Sequence, residues 1–335
     1  MQSIWEMLDE KGRRSVVLGW FVTDPPDAVK GVMVADSFAP ALFRFFSGNE
    51  TPGNFSDTVY PRAEFNGLLD YFNRAQEEGA FQYPRLVQEM GIPDYIRLYS
   101  ERYGVEPGKV TILSMWNHFL AINRIEDLLV DRYLEKNDYD LFLAYYRFPD
   151  VFFHFATVFL EKEYHDRIDT LIQNREPSAQ DLVEFNLKMA DVALPILKDK
   201  EVLLKKIYDR VLKEKAYLII ASYHGFRFTS MGYNHYGLPA GIQPPDGILM
   251  MLGPDVKHGA QIQAKVFDIA PTILYINRLP VGRDMDGQPL LEAFTSPRPV
   301  RKTIYTKMKH LPGKGDRARE QKKIEELKAL GYINN

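Results

Sequence analysis

Three side chains in this sequence have the types and places to do chemistry: Asp150, His154 and His224. Asp150 and His154 are four apart. If a helix begins at residue 150, that spacing stacks the carboxylate and the imidazole on one face. His224 follows a separate apolar run by two residues. One carboxylate and one imidazole suit zinc or a similar divalent ion, which takes oxygen and nitrogen donors when thiols are absent. An isolated Asp-x-x-x-His pair is more commonly a helix-start carboxylate and an ordinary histidine, so the elements that carry these residues decide how much weight they bear.

Those elements are strands alternating with helices. Ser15–Phe21, Tyr139–Tyr146, Ala216–Ser222 and Gly247–Leu252 are continuous apolar runs of strand length, and Gly31–Asp36 is a further short one. Continuous rather than alternating runs predict burial on both faces, as in a parallel sheet. Trp5, Met7 and Leu8 predict a short helix stopped at Lys11-Gly12. Residues 37–62, rich in Pro, Gly, Ser and Asn, read as loop. Residues 63–135 read as helical, most clearly over Met115–Tyr133, and residues 180–214 as an amphipathic helix. Asp268 is expected to cap a helix reaching about Asn277, with Pro271 tolerated in its first turn. The alternation predicts an α/β fold with helices on both faces of the sheet. In such folds ligands bind beyond the carboxyl ends of the strands, where Asp150, His154 and His224 fall.

Composition sets outer limits. The chain has 335 residues, 45% hydrophobic and 26% charged, as expected of a folded protein rather than a disordered one. A formal charge of -3 argues against nucleic acid or lipid head groups as partners of the whole chain. There is no cysteine, which excludes disulfides, thiolate metal sites and a cysteine nucleophile. No run of 18 apolar residues and no secretory leader is evident, so the chain as written is expected in the cytoplasm. From Arg301 to Lys323 nine basic residues stand against Asp316 and Glu320, read as a solvated segment leading to a last helix.

The order of segments resembles that of type I phosphodiesterase/nucleotide pyrophosphatase-like proteins of the alkaline phosphatase superfamily. The resemblance rests on Trp5-Glu6-Met7-Leu8, Gly12, Val16-Val17-Leu18-Gly19-Trp20, Thr23 and Pro25 near the start. It continues through Asp150–His154, which looks like the family's Asp-x-x-x-His segment, and Ser222-Tyr223-His224-Gly225-Phe226, similar to its Ser-Asp-His-Gly-Phe motif. Pro245-Asp246-Gly247-Ile248, Gly253-Pro254 and Gly259 follow. Asp268-Ile269-Ala270-Pro271-Thr272-Ile273-Leu274, Leu279-Pro280 and Asp284-Met285-Asp286-Gly287 are the most specific part, and Leu327–Ile333 closes the match.

The resemblance implies an alkaline-phosphatase-like sheet with a mostly helical insertion. It divides the chain into 1–62 (the start of the α/β core), 63–135 (a cap-like insertion), 136–295 (core with metal-site motifs) and 296–335 (basic segment and last helix). It also implies metal-dependent hydrolysis of a phosphoester: two divalent ions, usually zinc, held by Asp and His, and a Ser or Thr nucleophile. Asp150, His154 and His224 are the ligands that matching transfers. Three departures weaken the activity. The family's first strand, which carries the nucleophile and another metal Asp, would precede Trp5, so no catalytic residue is assigned. Tyr223 stands where the motif has Asp, and Gln243 stands where the family has its later His. Two ions would bring four positive charges against Asp150 alone.

The expectation is therefore a catalytically impaired relative of metal-dependent phosphodiesterases, with a phosphorylated small molecule as its ligand if active. The alternative is a non-catalytic pseudoenzyme that binds a protein partner or a phosphorylated ligand. A further chain supplying the missing strand is a possible partner. His118, His165, His235, His258 and His310 are expected in surface or polar-face settings, His235 being close enough in sequence to substitute at Gln243.

Overall fold

The computed structural model describes residues 2–81, 97, 100–101, 111–136, 138–151, 179–225, 227–229, 232–234 and 246–305. His154, His165, His235, Gln243 and His310 lie outside them, as does all but the start of the basic C-terminal segment.

The chain opens with α1 (Ile4–Asp9), whose N-cap Ser3 accepts from the Glu6 backbone N–H while the Glu6 carboxylate accepts from the Ser3 backbone N–H. The expected stop follows: Gly12 takes φ +74°, a left-handed conformation that favours glycine. Next come β1 (Ser15–Leu18), β2 (Gly31–Val34), α2 (Phe38–Phe46), β3 (Val59–Tyr60), α3 (Glu64–Glu77), α4 (Thr111–Leu134) and β4 (Leu141–Ala144). The rest is α5 (Ala179–Glu214), β5 (Leu218–Ser222), β6 (Arg227–Thr229), β7 (Gly232–Asn234), β8 (Ile248–Leu252), α6 (Ile269–Ile276), β9 (Val281–Gly282) and β10 (Lys302–Thr303).

Four strands form one mixed sheet in the order β3-β2-β1-β4. β1 runs parallel to both neighbours, Val17 pairing with Met33 and with Leu143, while β2 and β3 are antiparallel. The pleat sends alternate residues to opposite faces. Val16, Leu18, Val32, Val34, Phe142 and Ala144 face a core shared with α2, α3 and α4, where Phe38, Leu42, Leu68, Phe72 and Ile125 are fully buried. Val17 and Met33 face Trp5 of α1, and Leu141 packs with Met7 and Leu8 of α1 and Ile273 and Leu274 of α6. The chain is thus α/β with helices on both faces of its main sheet.

Three expectations change. Residues 37–62 are not all loop: α2 forms because Pro40 sits in its first turn, where a missing N–H costs nothing, and Phe38, Ala41 and Leu42 supply a buried face. The apolar runs at β5 and β8 pair with each other antiparallel, as a separate two-stranded sheet. One face of that pair carries Leu249 and Met251 against Tyr275 and Phe294, whereas Ile248 and Met250 on the other face are exposed. A continuous apolar run does not fix burial on both faces. Finally, Asp268 stands at the N-cap of α6 but makes no side-chain cap bond; its carboxylate accepts from the backbone N–H groups of Lys265 and Gln288 instead.

Candidate functional site

β4 ends at Ala144, and the chain passes Tyr145, Tyr146 and Arg147 before a helical turn begins at Asp150, where Val151 N–H bonds to the Arg147 carbonyl. β5 ends at Ser222, whose hydroxyl donates to the His224 carbonyl at 2.7 Å and shapes the turn. These two strand ends bring Asp150 and His224 together, with Asp150 Oδ1 3.6 Å from His224 Nε2. Their side chains are 25% and 8% exposed. Residues 74 positions apart, read from sequence as candidate ligands, therefore occupy one site.

Burial dominates the electrostatics of both. It raises the Asp150 pKa to about 6. It lowers that of His224, against a smaller opposing effect of the hydrogen bond to the Gly225 carbonyl. That bond, 3.1 Å from Nδ1, is best met by an Nδ1–H donor, which turns the Nε2 lone pair toward Asp150. The Nε2 lone pair and the Asp150 carboxylate then face each other at 3.6 Å. Donors of one tetrahedral zinc, each about 2.0–2.1 Å from the metal, lie about 3.3 Å apart, close to the separation here.

The pair fits one end of a single divalent site. Among the described residues, no group of three or more His, Asp or Glu side chains is placed to hold a metal ion. Tyr223 is 51% exposed and sets its ring edge-on to His224 at a centroid distance of 4.4 Å. A free phenol has a pKa near 10 against about 3.9 for Asp, so Tyr223 places no carboxylate-like anionic donor next to His224. His258 is exposed as expected. His118 is not: it is half-buried on α4 with its ring edge-on to Phe43 at 4.6 Å, and burial together with Arg147 and Arg44 lowers its pKa.

A second polar cluster escaped the reading of motifs. Beyond the carboxyl ends of β1, β2 and β4 lies a narrow cleft lined by Gly19, Asp36, Glu126, Tyr145 and Tyr146. Glu126 on α4 is buried and its pKa is raised to about 7, burial outweighing the attraction of Arg147 and Lys200. Next to it Asp127 accepts from Lys200 Nζ of α5 at 2.5 Å, and that ammonium lies 4.5 Å from the centre of the Tyr146 ring. Arg147 donates to the Asp36 carbonyl at 2.7 Å, joining the ends of β2 and β4. The signal was available in the sequence as an acidic pair, Glu126-Asp127, set between Ile125 and Leu128-Leu129 in an apolar helix.

No protein-family model, no curated protein and no solved structure matches this chain. The site therefore rests on its own geometry. No helix among the described residues is long and apolar enough to cross a membrane.

Proposed function

We infer that this chain is a catalytically impaired relative of metal-dependent phosphoester hydrolases, of the phosphodiesterase/nucleotide pyrophosphatase type, that retains a single weak divalent-cation site at Asp150 and His224. The observation that carries the reading is the approach of Asp150 Oδ1 to His224 Nε2 at 3.6 Å beyond the ends of two strands. A divalent ion held there would supply a Lewis acid for a phosphoryl oxygen. Asp150 would contribute the charge, and the Gly225 carbonyl, by fixing the His224 tautomer, would keep Nε2 available to the ion. Burial raises the affinity of such a site for a cation, because a carboxylate there is poorly solvated. His154, which resembles the family's next ligand, would complete a three-donor set. Impairment rests on charge: Tyr223 brings no carboxylate, so the donors in view balance one ion poorly and two not at all.

One observation favours the non-catalytic alternative, in which the same site binds a protein partner or phosphorylated ligand without turnover. The face of the β5–β8 pair beside His224 exposes Ile248 and Met250, with Tyr223 exposed just beyond β5, an apolar surface next to the Asp150–His224 pair.

Metal analysis and calorimetry distinguish these readings. Titration with zinc is expected to give one ion per chain, lost in Asp150→Asn and in His224→Gln, with turnover of an aryl phosphodiester at or near background. Two tightly held ions per chain would overturn the assignment of impairment. Zinc binding that survives both substitutions would overturn the site.

A further inference from the structure

The cleft beyond the carboxyl ends of β1, β2 and β4 is separate from the Asp150–His224 site, and neither of those residues lines it. Gly19, Ala35, Ala39 and Ala144 do, and none has a side chain beyond Cβ. Their small size leaves room between the strand ends and α4, whose Leu129 and Val130 make one wall apolar. Strand ends of this kind are where α/β sheets take ligands.

Glu126 of α4 also lines the cleft, although only 7% of it is exposed. Its carboxyl accepts from the Arg147 backbone N–H, yet Oε2 has no hydrogen-bond partner among the described residues. The charged groups around it are engaged elsewhere. Lys200 of α5 donates to Asp127 at 2.5 Å and lies over the Tyr146 ring, and the Arg147 guanidinium donates to the Asp36 carbonyl at 2.7 Å. From those positions Arg147 and Lys200 attract the Glu126 carboxylate and Asp127 repels it, and the sum does not offset burial. A buried carboxylate oxygen without a donor is costly, and a charged donor brought to it recovers much of that cost.

We propose that the cleft binds the ammonium group of a small primary amine, with Glu126 Oε2 as its acceptor. Charge selects a cation: Glu126 and Asp36 line the cleft and, among the described residues, no Lys, Arg or His does. Width selects a compact one, because a planar guanidinium or a quaternary ammonium is broader than –NH3+. Coordination selects an organic cation over a metal ion. A hard metal ion takes six or more oxygens, and among the described residues no group of three or more His, Asp or Glu side chains is placed to hold one. An ammonium group needs one strong acceptor, and the apolar wall of Leu129 and Val130 suits the carbon attached to its nitrogen.

The test is methyl NMR of the full chain titrated with methylammonium at constant ionic strength. The methyl groups of Ala39, Leu129, Val130 and Ala144 are expected to shift together and saturably. Methanol, which is neutral, and tetramethylammonium, which is too broad, are expected to leave them in place. Glu126→Gln keeps the size of the side chain and is expected to weaken binding at least ~10-fold. Glu126→Asp, which keeps the charge but withdraws it by one methylene, is expected to fall between the two. Methylammonium stays charged below about pH 9. Wild-type affinity should therefore rise about tenfold from pH 6 to pH 8 as Glu126 ionises, and that of Glu126→Gln should stay flat. Asp150→Asn is expected to change nothing, which keeps the outcome independent of the proposed divalent site. No saturable shift, equal binding of methanol or tetramethylammonium, affinity unchanged in Glu126→Gln, or a response lost in Asp150→Asn would overturn the proposal.

Discussion

Lys200 of α5 donates to Asp127 of α4 at 2.5 Å with 12% and 7% of their side chains exposed, so one buried ion pair ties α5 to the helical layer over the main sheet. Burial shifts both groups toward neutrality, raising the Asp127 pKa and lowering that of Lys200, against the attraction between them. The desolvation of two charges thus outweighs what their contact returns. Removing one partner is a different matter, since it strands the other charge in the interior. Asp127→Ala is expected to cost about 3–5 kcal/mol. Asp127→Leu combined with Lys200→Met should recover most of that loss or exceed the wild type. Denaturant unfolding of the three variants checks the order; a double variant no better than Asp127→Ala would show that the pair itself is stabilising.

Glu126 makes stability depend on pH in the opposite sense to most carboxylates. Its folded pKa, about 7, lies above its ordinary value of 4.5 because burial disfavours the anion. Below about pH 4.5 both folded and unfolded chains hold the proton, and this group contributes nothing to the difference. As pH rises toward 7 the unfolded chain releases its proton first, so folding is progressively penalised, by about 3 kcal/mol once the folded group is also ionised. Glu126→Gln keeps an acceptor for the Arg147 backbone N–H and removes the titration. Its advantage over the wild type should grow from near zero at pH 4.5 to that size by pH 8, measured by urea unfolding across the range. A constant difference would mean that Glu126 is not the titrating group.

Much of this architecture is legible in the residues, and the losses have physical causes. The apolar runs at Val16–Leu18, Met33–Val34 and Leu141–Ala144 identify buried strands because no polar side chain interrupts them. The equally apolar runs at Leu218–Ser222 and Ile248–Leu252 look the same, yet they pair antiparallel and leave one face open. Apolar content reports burial propensity and not which neighbour a strand finds. Pro40 made residues 37–46 look like loop because a proline stops a helix interior, but not its first turn. At the site, Asp150 and His224 were readable from their places after strands. Lys200 and Asp127 were not, because 73 residues separate them and only the packing of α5 on α4 makes them neighbours.

Tyr223→Asp is expected to strengthen the proposed cation site. The Tyr223 ring is half exposed and contacts His224 edge-on, so its loss leaves no cavity in the core. A carboxylate in its place adds a negative charge beside the imidazole, and the zinc dissociation constant should fall at least about tenfold. Calorimetry of Tyr223→Asp alongside Tyr223→Asn separates the added charge from the loss of the ring. Equal affinity in both variants would show that position 223 lies outside the reach of the ion.

Gly31 marks where the sheet tolerates no side chain. It begins β2 at φ +150°, opposite Ser15 in the parallel register, and a Cβ built on it would stand 2.0 Å from the Ser15 carbonyl oxygen. Backbone cannot swing aside as a flexible side chain can, so Gly31→Ala must either open the β1–β2 ladder or distort the turn before it. A loss of at least about 3 kcal/mol follows from combining a clash with a disfavoured dihedral. Two controls separate these causes. Gly48 has φ +74° with nothing near its Cβ position, so Gly48→Ala should cost only about 1 kcal/mol. Gly53 has open space and no positive φ in the short helical turn Pro52–Phe55, so Gly53→Ala should be neutral or stabilising by about 0.5–1 kcal/mol. Thermal and urea unfolding of the three variants should give that order, and a Gly31→Ala protein as stable as Gly53→Ala would mean that β1 and β2 do not meet in this register.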